Sequence, residues 1–294
     1  MTAQATVTKL TVHAWNLLNG GIDGASERRR LAQVERMASW GSHFLWVTEA
    51  TGWHQHGGFR FQELADRTGM AFLPPITSWA GDGFNHSVLY YRPGLLRVDR
   101  SRPGPAGTFH HGWARAQFDV AGTPLLFLGT HLAHASGAAR LAEAHHLADY
   151  GQRFGDWPED AVLVGDMNCA DHTDRKPAKW SDIPLNLQHR YRTIGPDGLF
   201  GDDYDRSPRN LLLASGWRDP QADVAAVREP TTGYWYANEQ VPMRLDQSLV
   251  TGPRIEVVDY RTHVDPELDQ LSDHRPTELV ILLHPSPDDY CRAA

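Results

Sequence analysis

Short apolar runs with period-two alternation are interleaved along the chain with stretches of helical periodicity. Residues 9–16 alternate, with Leu10, Val12 and Ala14 on one side, the pattern of a half-buried strand. Ser26 can cap a helix whose Leu31, Val34, Met37 and Ala38 share one face. Residues 43–49 read as a buried strand ending in a carboxylate, and 59–68 as a short helix. Strands are predicted at 86–91, 95–100, 115–120 and 125–131, followed by a helix over about 138–150 and a strand at 161–166. Residues 171–210, rich in Asp, Arg, Pro and Gly, read as a long structured loop, and strands return at 243–250, 255–260 and 277–283. So many adjacent strands do not fit a pure βαβ alternation. The expectation is a mixed α/β chain folded as one domain over residues 1–294, without repeats. The longest apolar runs are strand-sized, whereas a membrane helix needs about 20 residues.

Polar residues stand where these runs stop. Asn16, Glu49, His131 and Asp166 each close an apolar segment, Asn168 follows at once, and Asp273-His274 precedes the final strand. Asp246 lies among apolar neighbours in 243–250. Strand ends can converge on one rim and build a site from distant positions. Buried carboxylates are costly unless compensated, so several in like positions imply a cation between them. Carboxylate and amide oxygens without a cysteine cluster suit a hard ion, Mg²⁺ or Mn²⁺. Of the 16 histidines, His110-His111 and His145-His146 form adjacent pairs. Neighbours in sequence do not face one way on regular structure, and no HExxH run is present, so both pairs are expected to be ordinary loop or surface residues.

Six short motifs then occur in order: Trp15-Asn16, Thr48-Glu49, Gly129-Thr130-His131-Leu132, Gly165-Asp166-Met167-Asn168, Arg244-Leu245-Asp246 and Ser272-Asp273-His274-Arg275-Pro276. Together they resemble the endonuclease/exonuclease/phosphatase superfamily, which includes pancreatic deoxyribonuclease and inositol polyphosphate phosphatases. The resemblance spans residues 15–276 and implies a four-layer α/β/β/α sandwich of two mixed β-sheets. It also implies roles: Asn16, Glu49 and Asp273 at a Mg²⁺ ion, and Asp166 with Asn168 for the attacking water and the phosphate. His274, oriented by Asp246, and His131 would contact phosphate or the leaving oxygen. The i, i+2 spacing of Asp166 and Asn168 places them on one face if the chain stays extended. Three positions depart from the pattern. Leu18, with Asn19 next, stands where an acid is common, Gln247 stands where Tyr is common, and Asn85-His86 follows Gly83-Phe84 where small residues are common. His86 is therefore a further candidate for the site.

Composition narrows the class more than the substrate. Hydrophobic residues at 41%, charged residues at 22%, and ten Trp, nine Tyr and ten Phe fit a folded globular chain and exclude a disordered one. Cys169 and Cys291 are the only cysteines, too few for a disulfide framework or a four-sulfur zinc site. With no apolar leader in the first residues, the expected location is the cytoplasm. The net charge of −8 disfavours a protein that coats duplex DNA. Segment 169–240 is the expected specificity region. There Arg175, Lys176, Lys179, Arg190 and Arg192 could grip phosphate while Trp180 and Tyr191 stack a base. Equally, Asp171, Asp174, Asp182, Asp202, Asp203 and Asp205 could make it a solvated loop. Tyr234-Trp235-Tyr236 reads as strand packing. The expected activity is metal-dependent hydrolysis of a small phosphorylated metabolite or nucleotide, with a DNA or RNA nuclease as the alternative. A catalytically silent binding domain is disfavoured by the near-complete set of polar strand ends.

Overall fold

A computed structural model describes residues 6–78, 84–105, 107–224 and 227–285; Gly83 and Cys291 lie outside the described residues. Two mixed sheets stack face to face. The first has the order β13 (Ile255–Thr262), β14 (Thr277–Leu283), β1 (Thr8–Asn16), β2 (Phe44–Thr48), β5 (His86–Tyr91) and β3 (Ala71–Phe72), with β4 (Ile76–Thr77) also on β5. The second has the order β12 (Asp246–Thr251), β9 (Ala161–Asp166), β8 (Thr123–His131), β7 (Trp113–Val120) and β6 (Leu96–Ser101). Each sheet contains one parallel pair, β1 with β2 and β8 with β9, among antiparallel neighbours.

Alternation along the central strands supplies two apolar faces each. Leu10, Val12 and Ala14 of β1 and Phe44 and Trp46 of β2 meet Phe118, Phe127, Val162 and Val164 of the opposite sheet. The odd-phase residues face outward. Trp15, Leu45, Val47 and Tyr90 pack under helices α1 (Arg28–Ser39) and α2 (Gln55–Thr68). Leu126, Leu128 and Leu163 pack under α3 (Gly137–Ala148) and α4 (Ser207–Ala214), against Ala144, Leu147 and Leu212. The result is the expected four-layer sandwich. Strands buried on both faces explain the near-continuous apolar runs.

Parallel pairing determines where the polar strand ends go. Asn16 registers with Thr48 across β1–β2, and His131 with Asp166 across β8–β9. Asp246 begins β12 opposite Asp166, and β14 begins at Thr277 opposite Ala14. Both sheets therefore bring their functional ends to the same edge of the sandwich. The sheets are joined near that edge by Trp46, whose indole N–H donates to the Thr130 carbonyl at 3.0 Å. Gly129 and Gly165 make room for it: a Cβ at Gly129 would meet the indole at 2.6 Å, and Gly165 has φ 141° with the Thr130 carbonyl against it. Gly165→Ala combines forbidden backbone with overpacking and is expected to cost about 2–4 kcal/mol. Urea unfolding tests this, and a loss below 1 kcal/mol would contradict it.

The segment expected to be one loop contains more structure than its composition indicates. Residues 171–210 include a hairpin of β10 (Arg192–Ile194) and β11 (Phe200–Tyr204) and the start of α4, and α5 (Pro220–Asp223) follows. Nor is Asp171 a solvated counter-charge. It is fully buried and meets Arg209 at 2.8 Å, Arg244 at 3.1 Å and Arg228 at 3.4 Å. Burial opposes its charge, but Arg244 and Arg209 overcome this and hold the carboxyl well below its usual range. Gln247 completes the anchor, accepting from Arg209 at 2.7 Å and donating to the Cys169 carbonyl at 2.9 Å. Among the described residues no helix is long and apolar enough to cross a membrane.

Candidate active site

The converging strand ends line an open cleft of about 670 Å³. Glu49, His131, Asp166, Asn168, Asp273 and His274 all line it, while Asn16 and Asp246 are buried directly behind. All eight residues singled out from the sequence therefore meet at one place.

At the first sheet, the Asn16 amide N–H donates to Glu49 Oε1 at 3.1 Å and to Asp166 Oδ2 at 3.2 Å, while its Oδ1 accepts from Leu18 N–H at 3.1 Å. Asn16 thus bridges the two sheets. The Asn19 backbone N–H donates to Glu49 Oε2 at 3.1 Å, so the turn that lacks the common acid supplies a backbone donor instead. Glu49 itself has φ 53°, an unfavourable left-handed conformation for a side-chain-bearing residue. Burial, reinforced by the Asp273 charge, raises the Glu49 pKa. Two neighbouring carboxylates that repel one another suit a hard divalent cation, and Glu49 and Asp273 could hold one. Glu49→Gln removes this repulsion. In EDTA, wild-type stability should fall as pH rises from about 4.5 through the raised Glu49 pKa, and Gln should lessen that fall, leaving the part due to Asp246, Asp174 and Glu143, whose pKa values burial also raises. Thermal melts should also show Mg²⁺ stabilising wild type but not the variant; equal Mg²⁺ shifts would refute the assignment.

At the second sheet, β9 ends at Asp166 and the chain turns. Asn168 has φ 47°, and its N–H donates to Asp166 Oδ1 at 2.9 Å, an Asx turn. The extended-strand argument for placing both on one face therefore fails, and the turn brings them together instead. Asn168 Nδ2 also donates to the Leu132 carbonyl at 2.9 Å. The turn commits Oδ1 and leaves Asp166 Oδ2 toward Asn16, with His131 Nε2 at 3.5 Å and His274 Nδ1 at 3.8 Å.

His274 Nδ1 meets Asp246 Oδ2 at 2.6 Å. Burial alone would discharge this ring, but Asp246, Asp166 and Asp273 outweigh it and raise its pKa well above the ordinary value. His131 goes the other way. Burial, then the charge of His274, holds it well below its usual range, and its Nδ1 has no partner. The site thus offers one cationic and one neutral imidazole.

Other expectations resolve unevenly. His86 is outside the cleft lining: its Nε2 lies 2.7 Å from His54 Nδ1, and burial with the His54 charge lowers its pKa to about 4. Of the basic residues in 169–240, Arg190 alone lines the cleft, whereas Lys176 pairs with Asp202 and Arg192 lies over Trp180 at 4.7 Å. Tyr191 does line it, with its hydroxyl donating to Glu239 at 2.6 Å. Tyr234-Trp235-Tyr236 is not a strand. Trp235 and Tyr236 form part of the cleft wall, and Tyr234 donates to the Ser272 carbonyl at 2.7 Å. His111 and His134 also line the cleft. Sequence reading placed the first in an ordinary pair and passed over the second, because only the fold brings them together. Burial raises the Cys169 thiol to about 12, leaving it unreactive.

No protein-family model and no curated protein sequence matches the chain. Solved structures do. An endonuclease/exonuclease/phosphatase family protein from Bacteroides thetaiotaomicron aligns at TM-score 0.63 and 16% identity, covering 95% of this chain and 100% of its own. TDP2 from D. rerio, complexed with a single-strand DNA product, aligns at TM-score 0.65 and 14% identity, covering 93% and 99%. Mannosyl-6-phosphatase Bt3783 from Bacteroides thetaiotaomicron aligns at TM-score 0.59 and 14% identity, covering 92% and 99%. Across nearly its whole length, this chain has the fold of the endonuclease/exonuclease/phosphatase proteins.

Proposed function

We propose that this chain is a Mg²⁺-dependent phosphoesterase that hydrolyses a small phosphorylated metabolite or nucleotide by in-line attack of water. The observation that carries the reading is the single constellation of Glu49 and Asp273, Asp166, and the His274–Asp246 pair around one cleft. Glu49 and Asp273 would hold Mg²⁺, which supplies charge neutralisation at the phosphoryl oxygens. Asp166 Oδ2 orients the attacking water and takes its proton. The Asx turn commits the other oxygen and fixes the carboxylate plane. His274, kept cationic by Asp246, donates to a phosphoryl oxygen as negative charge builds. His131 is neutral and donates one N–H without adding a charge. No side chain is placed as a covalent nucleophile.

Cleft size and charge favour a small substrate. A volume of about 670 Å³ is in the range of small-molecule sites. Arg190 is the sole Arg or Lys among the described lining residues, whereas a duplex backbone calls for several cations. Trp235, Tyr236 and Tyr191 offer aromatic faces to a base, which favours nucleotides among the small esters and keeps single-stranded nucleic acid as the second reading. The test is hydrolysis of nucleotides, sugar phosphates, bis-p-nitrophenyl phosphate, RNA oligonucleotides and plasmid DNA, with Mg²⁺, Mn²⁺ or EDTA. Metal-dependent turnover is expected on the small esters. Faster cleavage of DNA or RNA, falling steeply with salt, would replace this reading with the nuclease one; Mg²⁺ binding without turnover would support a silent binding domain.

A further inference from the structure

The wall of the cleft carries a group of ligand-bearing side chains that the hydrolytic chemistry leaves unused. His110 and His111 precede β7, His134 follows β8, and one imidazole nitrogen from each lies within 4.8 Å of the others. His110 is an exposed loop residue, as the sequence suggests, whereas His111 is buried against the cleft and meets a third histidine from a different strand end. His145 and His146, the other pair, do lie exposed on α3.

Geometry favours nitrogen coordination. His111 Nε2 stands 3.2 Å from His134 Nδ1. For metal–nitrogen bonds of about 2.0–2.1 Å, a tetrahedral edge is roughly 3.3–3.4 Å. The other nitrogen of His111 lies 3.2 Å from Ser78 Oγ, and that hydroxyl donates to the His110 carbonyl at 2.9 Å. A hydroxyl whose proton is committed to a carbonyl accepts from the ring, so His111 Nδ1 carries the hydrogen and Nε2 turns a lone pair toward His134. Metal-binding histidines are oriented through their outer nitrogen in this way.

The scaffold is built to hold the rings there. Glu143 of α3, itself buried, accepts from His110 N–H at 2.6 Å with one oxygen and from Ala133 N–H at 2.7 Å with the other. Buried Arg140 donates to the Ala133 and His134 carbonyls at 3.1 and 3.2 Å. One helix therefore ties both ligand-bearing segments together. His111 and His134 face the cleft, and the His111 ring stacks on His131 with centroids 3.8 Å apart.

We propose that His110, His111 and His134 form a binding site for a borderline transition-metal ion of the Zn²⁺ or Co²⁺ class, on the cleft wall beside His131. Three imidazoles, two of which, His111 and His134, line the cleft, leave a fourth position of this site open to another ligand. Its nitrogen donors select against Mg²⁺, which takes oxygen ligands, so it is distinct from the carboxylate pair at Glu49 and Asp273.

The test is titration of the metal-free, full-length protein with Co²⁺ in excess Mg²⁺, followed by visible absorption. Four-coordinate Co²⁺ on nitrogen absorbs far more strongly than six-coordinate Co²⁺ on oxygen. One equivalent should give the strong band, and Zn²⁺ should abolish it. His134→Gln should lose the band, while His110→Ala, altering an exposed side chain that leaves the fold intact, should weaken Co²⁺ binding at least tenfold. Glu49→Gln should retain the band. No strong band in wild type, or a band unchanged in both histidine variants, would overturn the proposal. The readout needs no turnover, so it stands or falls separately from the hydrolysis reading.

Discussion

Asp166→Asn is expected to lower kcat for Mg²⁺-dependent ester hydrolysis by about 10²–10⁴-fold, the usual contribution of a positioned general base. The substitution is close to isosteric. Asn keeps an oxygen for the Asn168 N–H, so the Asx turn that shapes this edge survives. What disappears is the basic oxygen that Asn16 approaches at 3.2 Å and His274 at 3.8 Å. The effect on the fold is a balance: Asn16 loses an acceptor and His274 a nearby anion, while Asp246, whose own pKa is raised by burial first and is pushed further by the Asp166 charge, loses a like charge beside it. Removing one of two neighbouring buried charges relieves repulsion. Turnover of bis-p-nitrophenyl phosphate, or of the best substrate from the panel, measures the first effect, and urea unfolding the second. Activity within tenfold of wild type in a well-folded Asn variant would remove Asp166 from the proton-transfer role.

The second large effect is on the pH profile. His274 has its pKa raised well above 6.5 despite the opposing effect of burial, because Asp246, Asp166 and Asp273 surround it. Activity that needs the imidazolium should therefore persist past neutrality and fall only as pH rises through that raised value. Asp246→Asn removes the carboxylate at 2.6 Å and should move the alkaline limb down by about one unit or more, each unit being about 1.36 kcal/mol. His274→Gln should cost about 10²–10³-fold in kcat, the typical loss on removing one donor to a developing oxyanion. Stability carries the same signature. A histidine with a raised folded pKa contributes stability that is full below its unfolded pKa of about 6.5 and is lost as pH climbs through the folded value. Wild type should consequently lose more unfolding free energy above neutrality than His274→Gln does. An identical alkaline limb in wild type and Asp246→Asn would show that another group sets it.

The strands, their apolar faces and the polar residues that close them are determined by the sequence itself. Alternation at Leu10, Val12 and Ala14 and the apolar run ending at Asp166 are local signals, and local signals mark local structure. The eight candidate site residues were visible as polar residues at or beside strand ends, where a buried charge or amide is costly without a partner, and the order of the six motifs they sit in supplied their roles. Short-range chemistry misled where context decided. Composition left open whether Asp171 and its neighbours were solvated counter-charges, yet Asp171 is a buried hub for Arg209, Arg228 and Arg244. The hairpin of Arg192–Ile194 and Phe200–Tyr204 is too short for a period to register. The aromatic run at 234–236 carries strand propensity but forms a cleft wall, because pairing partners rather than propensity make a strand. His110 and His111 looked unremarkable until His134, 23 residues beyond His111, met His111 at 3.2 Å with His110 within 4.8 Å. Only the tertiary structure could decide these matters. Two parallel strand pairs in two stacked sheets set which ends share an edge, and there the gathered carboxylates make His274 a cation while burial leaves His131 a neutral donor.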